Sequence, residues 1–482
     1  MADEKKKDAE GDGANADKGP LDSLLSIFAD VKAGEGVTAL ILMTDVFLLL
    51  VAYYLLKTVR EPLILEGGGV ELKNYATACQ AVALMAFIPA YAALTKRLKR
   101  MTLITVTLVF FASNLVLFWV LALLKVPYIG FAFFVWLGCF SLTVIAQFWS
   151  LANDLYTPEQ GKRLFAIVGI GSSVGAVAGS YVAGKFSAKA DPKLADSPPA
   201  VSPYATMVIA AVLLLVCLGL AWYANSREGA ARKGGQPTSD DKPIGGKNGL
   251  ALLLADRYLL LIAVLILVLN LVNTTGETIL DLSMLDEAKR VTPGYDLMTK
   301  EQQGNAIKTF VGPFRGNFFF WVNLVGAVTQ LFLVSRIFKY LGLRVALFSL
   351  PLIGFLVYGG ISIMPVLALV RIGKIAENAC DYSLYNTTKQ ALWLPTTREQ
   401  KYNAKMTIDS FIVRTGDLIA SGASIAFLAM GFGVRTYAMV NIAFVACWTV
   451  LVVVIGRENL KRTDQMGKDA AAGAKKEDAV TA

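Results

Sequence analysis

Blocks of apolar residues alternate with short polar stretches through most of the chain, as in 37–54, 101–124 and 259–272. An α-helix needs about 20 such residues to cross a hydrocarbon core of about 30 Å. The blocks predict about twelve spans, near 38–60, 75–95, 101–124, 127–152, 164–186, 203–225, 256–282, 307–335, 340–359, 362–386, 407–431 and 433–456. A Gly-, Lys-, Arg- and Asp-rich stretch at 226–249 reads as a linker between two six-helix bundles, 37–225 and 250–457. Residues 1–20 and 458–482 lack an apolar core and read as disordered tails. Over 21–36, Leu21, Leu24, Leu25, Phe28 and Val31 recur at helical spacing, which predicts an amphipathic helix lying in the interface. The expected class is all-α integral membrane, in two pseudo-symmetric six-helix halves.

Composition agrees. The 482 residues are 55% hydrophobic and 17% charged, against about 45–50% and 25% in soluble domains, so a soluble protein is excluded. Histidine is absent, which removes Ser-His-Asp and Cys-His nucleophile pairs, imidazole zinc sites and histidine proton relays. Cys79, Cys139, Cys217, Cys380 and Cys447 stand singly in apolar segments and read as core packing. No Walker-type GxxxxGK[ST] occurs, so a P-loop ATPase is excluded. Neither a metal nor a cofactor is expected, and an enzyme is disfavoured.

The net charge of +9 lies in clusters between apolar runs, not on one soluble face. It therefore reads as a topology signal and not as a nucleic-acid surface. Lys96, Arg97, Lys99, Arg100, Lys162, Arg163, Arg336, Lys339, Arg398, Lys401 and Lys405 all fall on one side, which predicts cytoplasmic termini. With no transit or signal segment in view, a bacterial inner membrane is expected.

The halves repeat in sequence. Lys57-Thr58-Val59-Arg60-Glu61-Pro62-Leu63 overlays Asn273-Thr274-Thr275-Gly276-Glu277-Thr278-Ile279. Ser150-Leu151-Ala152-Asn153 matches Ser383-Leu384-Tyr385-Asn386, and Thr157-Pro158-Glu159-Gln160 matches Thr397-Arg398-Glu399-Gln400. Three landmarks in one order argue for a duplicated six-span unit, the plan of the major facilitator fold, and favour a transporter.

Ionisable groups at membrane depth are costly and so are candidates for function. Span one carries Asp45, Lys57, Arg60 and Glu61, span seven Glu277 and Asp281, span eight Arg315, span ten Arg371, Lys374, Glu377 and Asp381, and span eleven Arg414 and Asp417. Cations converging on a midplane cavity suit an anionic substrate, with guanidinium forks for phosphate or carboxylate oxygens. The competing reading is mutual neutralisation, strongest for the span-ten stripe at three-and-four spacing. Gly169-Ile-Gly171 through Gly175 and Gly179 superficially matches a dinucleotide fingerprint, but no strand precedes it, and the four-residue spacing predicts close helix packing.

Tyr53-Tyr54-Leu55-Leu56-Lys57-Thr58-Val59-Arg60-Glu61-Pro62, then Phe148-Trp149-Ser150-Leu151-Ala152-Asn153-Asp154, Lys162-Arg163-Leu164-Phe165, and Tyr382-Ser383-Leu384-Tyr385-Asn386-Thr387-Thr388-Lys389 resemble the ATP/ADP translocases of intracellular bacteria and plastids. The resemblance implies exchange of nucleotides by alternating access in a twelve-span bundle. The family's first-span basic residue falls on Arg60 and its fourth-span acid on Asp154. Its span-seven acid falls on Asn273, and its late lysine in a Gly-Lys-Ser-Gly-Gly stretch falls where this chain reads Gly416-Asp417-Leu418.

The leading expectation is a monomeric transporter of a small anion, nucleotides first. Arg60, Lys57, Arg371 and Lys374 would contact the anion, with Arg315 and Arg414 behind them. Tyr54, Asn270 and Asn273 would face a base or sugar; Asp154, Glu61, Glu277, Asp381 and Asp417 would orient cations, gate or couple. Arg414 either offsets the acid Asp417 for the substrate or is occupied by it. The alternatives are a proton-coupled permease using Glu277 or Asp417 and, behind it, a transport-inactive scaffold or enzyme.

Overall fold

The computed structural model describes residues 19–26, 30–95, 97–190, 198–231, 249–397, 400 and 404–481. The long helices are α1 (Gly36–Thr95), α2 (Arg100–Leu123), α3 (Ile129–Leu155), α4 (Pro158–Ser187), α5 (Pro203–Ala231), α6 (Arg257–Val291), α7 (Lys300–Val328), α8 (Gly342–Ile363), α9 (Leu367–Cys380), α10 (Val413–Ala429) and α11 (Val434–Thr481). Among the described residues, ten helical segments are long and apolar enough to cross a membrane. The single β contact among them is a bridge between Lys189 and Pro199.

Two features bear on the difference between these ten and the expected twelve. At 60 residues α1 would measure about 90 Å as one rod, three times the hydrocarbon core. It is broken at Gly68 and Gly69, and Gly69 has φ 65°, a backbone that favours glycine. The blocks on either side, 36–67 and 70–95, correspond to predicted spans one and two. The expected tenth span, 362–386, is interrupted near its start: α8 ends at Ile363, and Pro365 has no N–H with which to continue it. There the 14-residue α9 is extended by a π turn, Asp381–Tyr385, and a short helix, Asn386–Ala391.

The edges differ from expectation. Among the described residues of the segment read as an amphipathic helix over 21–36, the helix ahead of α1 is Pro20–Leu25. The Asp22 carboxylate accepts the N–H groups of Gly34 and Gly36, both at 2.9 Å, and this folds the segment back onto the start of α1. Phe28 lies outside the described residues, as do 1–18 and the linker residues 232–248. Past 457, where a tail was expected, α11 continues to Thr481 through alanine-rich sequence of high helix propensity.

The chain forms two compact units that do not follow the sequence halves. Unit 1 comprises 1–63, 90–239 and 312–320; unit 2 comprises 64–89, 240–311 and 321–482. In unit 1, α4 packs backbone-close on the first block of α1 through its glycines. A Cβ on Gly175 would lie 2.5 Å from the Phe47 carbonyl oxygen and one on Gly179 2.8 Å from the Val51 Cα, while Gly171 faces Met43. The four-residue stripe is therefore a packing surface, as its spacing predicts. In unit 2, α6 packs on α9, α10 and α11, and α8 on α9 and α11.

Candidate functional site

The first block of α1 presents Lys57, Arg60 and Glu61 to the interior of unit 1. Arg315 arrives from α7, because Gly316 meets Gly184 of α4 backbone to backbone and a Cβ on Gly312 would fall 2.7 Å from that of Ser187. Small residues one turn apart let the two helices approach closely enough to bury an arginine. Arg60 Nη2 lies 2.6 Å from Glu61 Oε1, and Arg315 Nη2 lies 3.7 Å from Glu61 Oε2. Glu61 and Arg315 are almost wholly buried, whereas Arg60 keeps 17% of its side chain exposed. Lys57 Nζ stands 4.5 Å from the Phe319 ring centroid and 5.3 Å from that of Tyr54. Arg315 Cζ faces the same Phe319 ring at 5.9 Å, and Arg60 lies over Phe134 at 4.2 Å.

Two guanidinium groups thus share one carboxylate, and the Lys57 ammonium shares the Phe319 ring with Arg315. Aromatic faces add stabilisation to these cations through the ring quadrupole. Guanidinium and ammonium groups gathered in this way can donate to the oxygens of an anion.

Unit 2 is built differently. Lys374 is fully buried, with Nζ 3.2 Å from Glu377 Oε1, 3.7 Å from Glu277 Oε1 and 3.4 Å from Asn273 Oδ1. Tyr358 donates its hydroxyl to Glu377 at 2.7 Å, and Asn378 donates to Glu277 at 3.2 Å. Gly276 makes this possible, since a Cβ there would lie 2.9 Å from Lys374 Nζ and would also strike the Tyr358 hydroxyl. In the repeat Gly276 stands opposite Arg60: the N-terminal half carries its cation next to the acid on one helix, and the C-terminal half brings a lysine from α9.

The other expected residues are dispersed. Arg371 is half-buried one turn before Lys374. Asp381 pairs with Lys389 at 3.3 Å, outside the stripe expected on α9. Arg414 is occupied by Asp417 at 2.8 Å. Asn270 donates to the Val413 carbonyl at 2.9 Å, tying α6 to α10. Asp154 is more than half exposed and lies 3.3 Å from Arg100. Sequence reasoning missed Lys73, which is buried with Nζ 2.6 Å from Asp281 Oδ2, because the predicted second span begins beyond it. Phe319 and Tyr358 gave no signal distinct from ordinary apolar packing. Among the described residues no group of three or more metal-ligating side chains occurs.

A family model described as TLC ATP/ADP transporter matches residues 119–280. The ADP,ATP carrier protein 1 of Chlamydia pneumoniae is 22% identical over 64% of this chain and 63% of its own length. Both comparisons show a similarity to ATP/ADP transporters over part of the chain. The chloroplastic ADP,ATP carrier protein 2 of Arabidopsis thaliana is 23% identical, over 61% of this chain and 48% of its own. The chain thus spans just under two thirds of the length of the chlamydial relative. The TLC match includes Asp154, Asn273 and Glu277 but not Lys57, Arg60, Arg315 or Lys374.

Among solved structures, the nucleoside transporter NupG superposes with a TM-score of 0.59 at 10% identity, covering 87% of this chain and 98% of NupG. A bacterial homologue of the iron transporter ferroportin gives 0.56 at 13%, covering 87% and 98%. At these identities the likeness establishes the fold, which is that of major facilitator-type transporters.

Proposed function

We propose that this protein is a secondary transporter that moves nucleotides, by ATP/ADP-type exchange, or a closely related phosphorylated anion. It works by alternating access as a twelve-span monomer in a bacterial inner membrane, with both termini cytoplasmic. The observation that carries the reading is the gathering of Lys57, Arg60 and Arg315 in unit 1, with both arginines on the buried Glu61 and Lys57 and Arg315 on the Phe319 ring. Similarity to the ADP,ATP carriers supports the choice of nucleotide over other anions.

In this mechanism Glu61 holds both arginines while the site is empty. An arriving phosphate chain offers more oxygens than one carboxylate, so the partly exposed Arg60 turns to it first as a bidentate donor. Arg315 and the ring-held Lys57 add charge in a desolvated setting. Lys374 is saturated by Glu377 and Glu277, so its network acts as a structural and coupling element of unit 2. With no covalent step, no catalytic residue is required.

The test is exchange in proteoliposomes. Uptake of labelled ATP is expected to require internal ADP, and Arg60→Ala is expected to abolish it. Uptake that ignores internal nucleotide and follows a proton gradient would overturn exchange in favour of a proton-coupled permease. Unchanged behaviour of Arg60→Ala would sink the transport site as drawn.

A further inference from the structure

Within unit 2, α8 packs on α11, and the pair carries a groove of about 150 Å³ lined by Arg344, Phe348, Val452, Val453, Gly456 and Arg457. Two close approaches fix the register of the pair. A Cβ on Gly354 would lie 3.0 Å from Val445 Cγ2, and one on Gly456 would lie 3.9 Å from Arg344 Cγ. Between these points α8 runs back from 354 to 344 while α11 runs forward from 445 to 456, each over about 15–17 Å, so the helices are antiparallel. Arg344, in the first turn of α8, therefore meets Arg457, which follows the last apolar block of α11, at one end of the pair. Predicted spans nine and twelve, 340–359 and 433–456, put both arginines where hydrocarbon gives way to headgroups.

Both arginines are exposed, and among the described residues neither guanidinium pairs with a carboxylate or makes a hydrogen bond. Arg462, five residues further along α11, is by contrast held by Asp256 at 2.5 Å. From the groove an apolar stripe continues along α8. Phe348, Leu352 and Leu356 recur every four residues on one helix face and are 37%, 60% and 70% exposed, so the described chain leaves that face largely uncovered. At about 30 Å³ per water the groove has space for about five, enough for one phosphodiester. Two guanidinium forks suit phosphate oxygens, and the stripe beside them suits an acyl chain. A soluble anion would satisfy the arginines and leave the stripe bare.

We propose that this groove binds an anionic phospholipid, with its phosphate between Arg344 and Arg457 and one acyl chain along Phe348, Leu352 and Leu356. The site lies wholly within unit 2 and does not depend on which anion the protein carries.

Full-length protein in detergent is titrated with dioctanoyl phosphatidylglycerol, dioctanoyl phosphatidylcholine and inorganic phosphate, with bound lipid counted by native mass spectrometry and stability followed by thermal shift. The wild type is expected to retain phosphatidylglycerol more tightly than phosphatidylcholine. Arg344→Gln combined with Arg457→Gln should weaken phosphatidylglycerol binding about tenfold or more and leave phosphatidylcholine unchanged. Arg457→Gln alone, at an exposed position, should show a smaller loss of the same kind and decides the matter if the double variant does not fold. Arg336→Gln combined with Lys339→Gln, ahead of α8 and outside the groove, should change nothing; an equal loss there would make the attraction diffuse and overturn the site. Equal binding of the two lipids, or full phosphatidylglycerol binding by the arginine variants, also overturns it. Stabilisation by inorganic phosphate that the arginine variants abolish, without a preference between the lipids, would identify a free-anion site and overturn the lipid.

Discussion

Gln400 repeats in the C-terminal half the hydrogen bonds that Gln160 makes in the N-terminal half. Each side chain accepts from the backbone of the threonine three residues earlier, at 3.0 Å for Thr157 and 3.1 Å for Thr397, and each backbone N–H returns a bond of 3.3 Å to that threonine's hydroxyl. Each then reaches an acid just before the first long helix of its half. Gln160 donates to Glu35 at 3.1 Å and Gln400 to Asp256 at 2.8 Å, and each acid also holds an arginine, Arg163 or Arg462. A sequence repeat of four letters thus marks a repeated three-dimensional joint.

Because Thr157 and Gln160 form a capping box and Thr397 and Gln400 repeat its bonds, Gln160→Ala and Gln400→Ala should each cost about 1 kcal/mol. Thermal unfolding in detergent would show it as similar drops in Tm for the two variants. A drop in one half alone would break the equivalence.

The same joints predict acid sensitivity. Burial raises the Glu35 carboxyl, but hydrogen bonds from Arg163, the Lys32 amide and Gln160 outweigh it, so the net shift lies below the ordinary 4.5. For Asp256 burial is likewise outweighed, by Arg462 and the Tyr258 and Leu259 amides, and the net shift lies below 3.8. Their stabilisation is full above these ordinary values and is lost as pH falls through the lower folded ones. Unfolding measured between pH 6 and pH 3 should therefore show a loss toward the acid end that Glu35→Gln makes shallower; parallel curves for the two proteins would count against the joint.

Gly175→Leu should prevent folding, since even a Cβ would press on the Phe47 carbonyl at 2.5 Å. Gly169→Ala, where a Cβ meets nothing within 4 Å, should be tolerated. Size-exclusion profiles separate the two, and a monodisperse Gly175→Leu protein would contradict the packing.

Lys374→Met should cost about 3–5 kcal/mol, because it leaves Glu377 buried without its cation. Adding Glu377→Leu should recover much of that loss. If Lys374→Met keeps the wild-type Tm and loses only nucleotide binding, the residue is a substrate contact and not a structural one.

Arg60→Ala and Arg315→Ala should separate in the opposite sense. Arg60 is partly exposed, so its loss should leave folding intact and lower nucleotide affinity tenfold or more, about 1.4 kcal/mol. Arg315 is buried, so its loss should reduce both. Equal stability of the two variants would remove the distinction.

The pattern of apolar blocks alone determined the all-helical membrane class, the positions of most helices and the close-packing role of Gly171, Gly175 and Gly179, because helix formation and membrane burial depend on residues within a few turns. It also exposed the duplication, since Gln160 and Gln400 sit in matching local contexts. Partnership was beyond its reach. That Arg60 shares Glu61 with Arg315, that Lys374 is consumed by Glu277 and Glu377, and that Arg414 is spent on Asp417 depend on side chains facing one another from particular helix faces. An unpaired cation in a sequence reads the same whether a carboxylate from a distant helix meets it or leaves it open to substrate. Only the packing, set by glycines that let one backbone touch another, decided which charges met which.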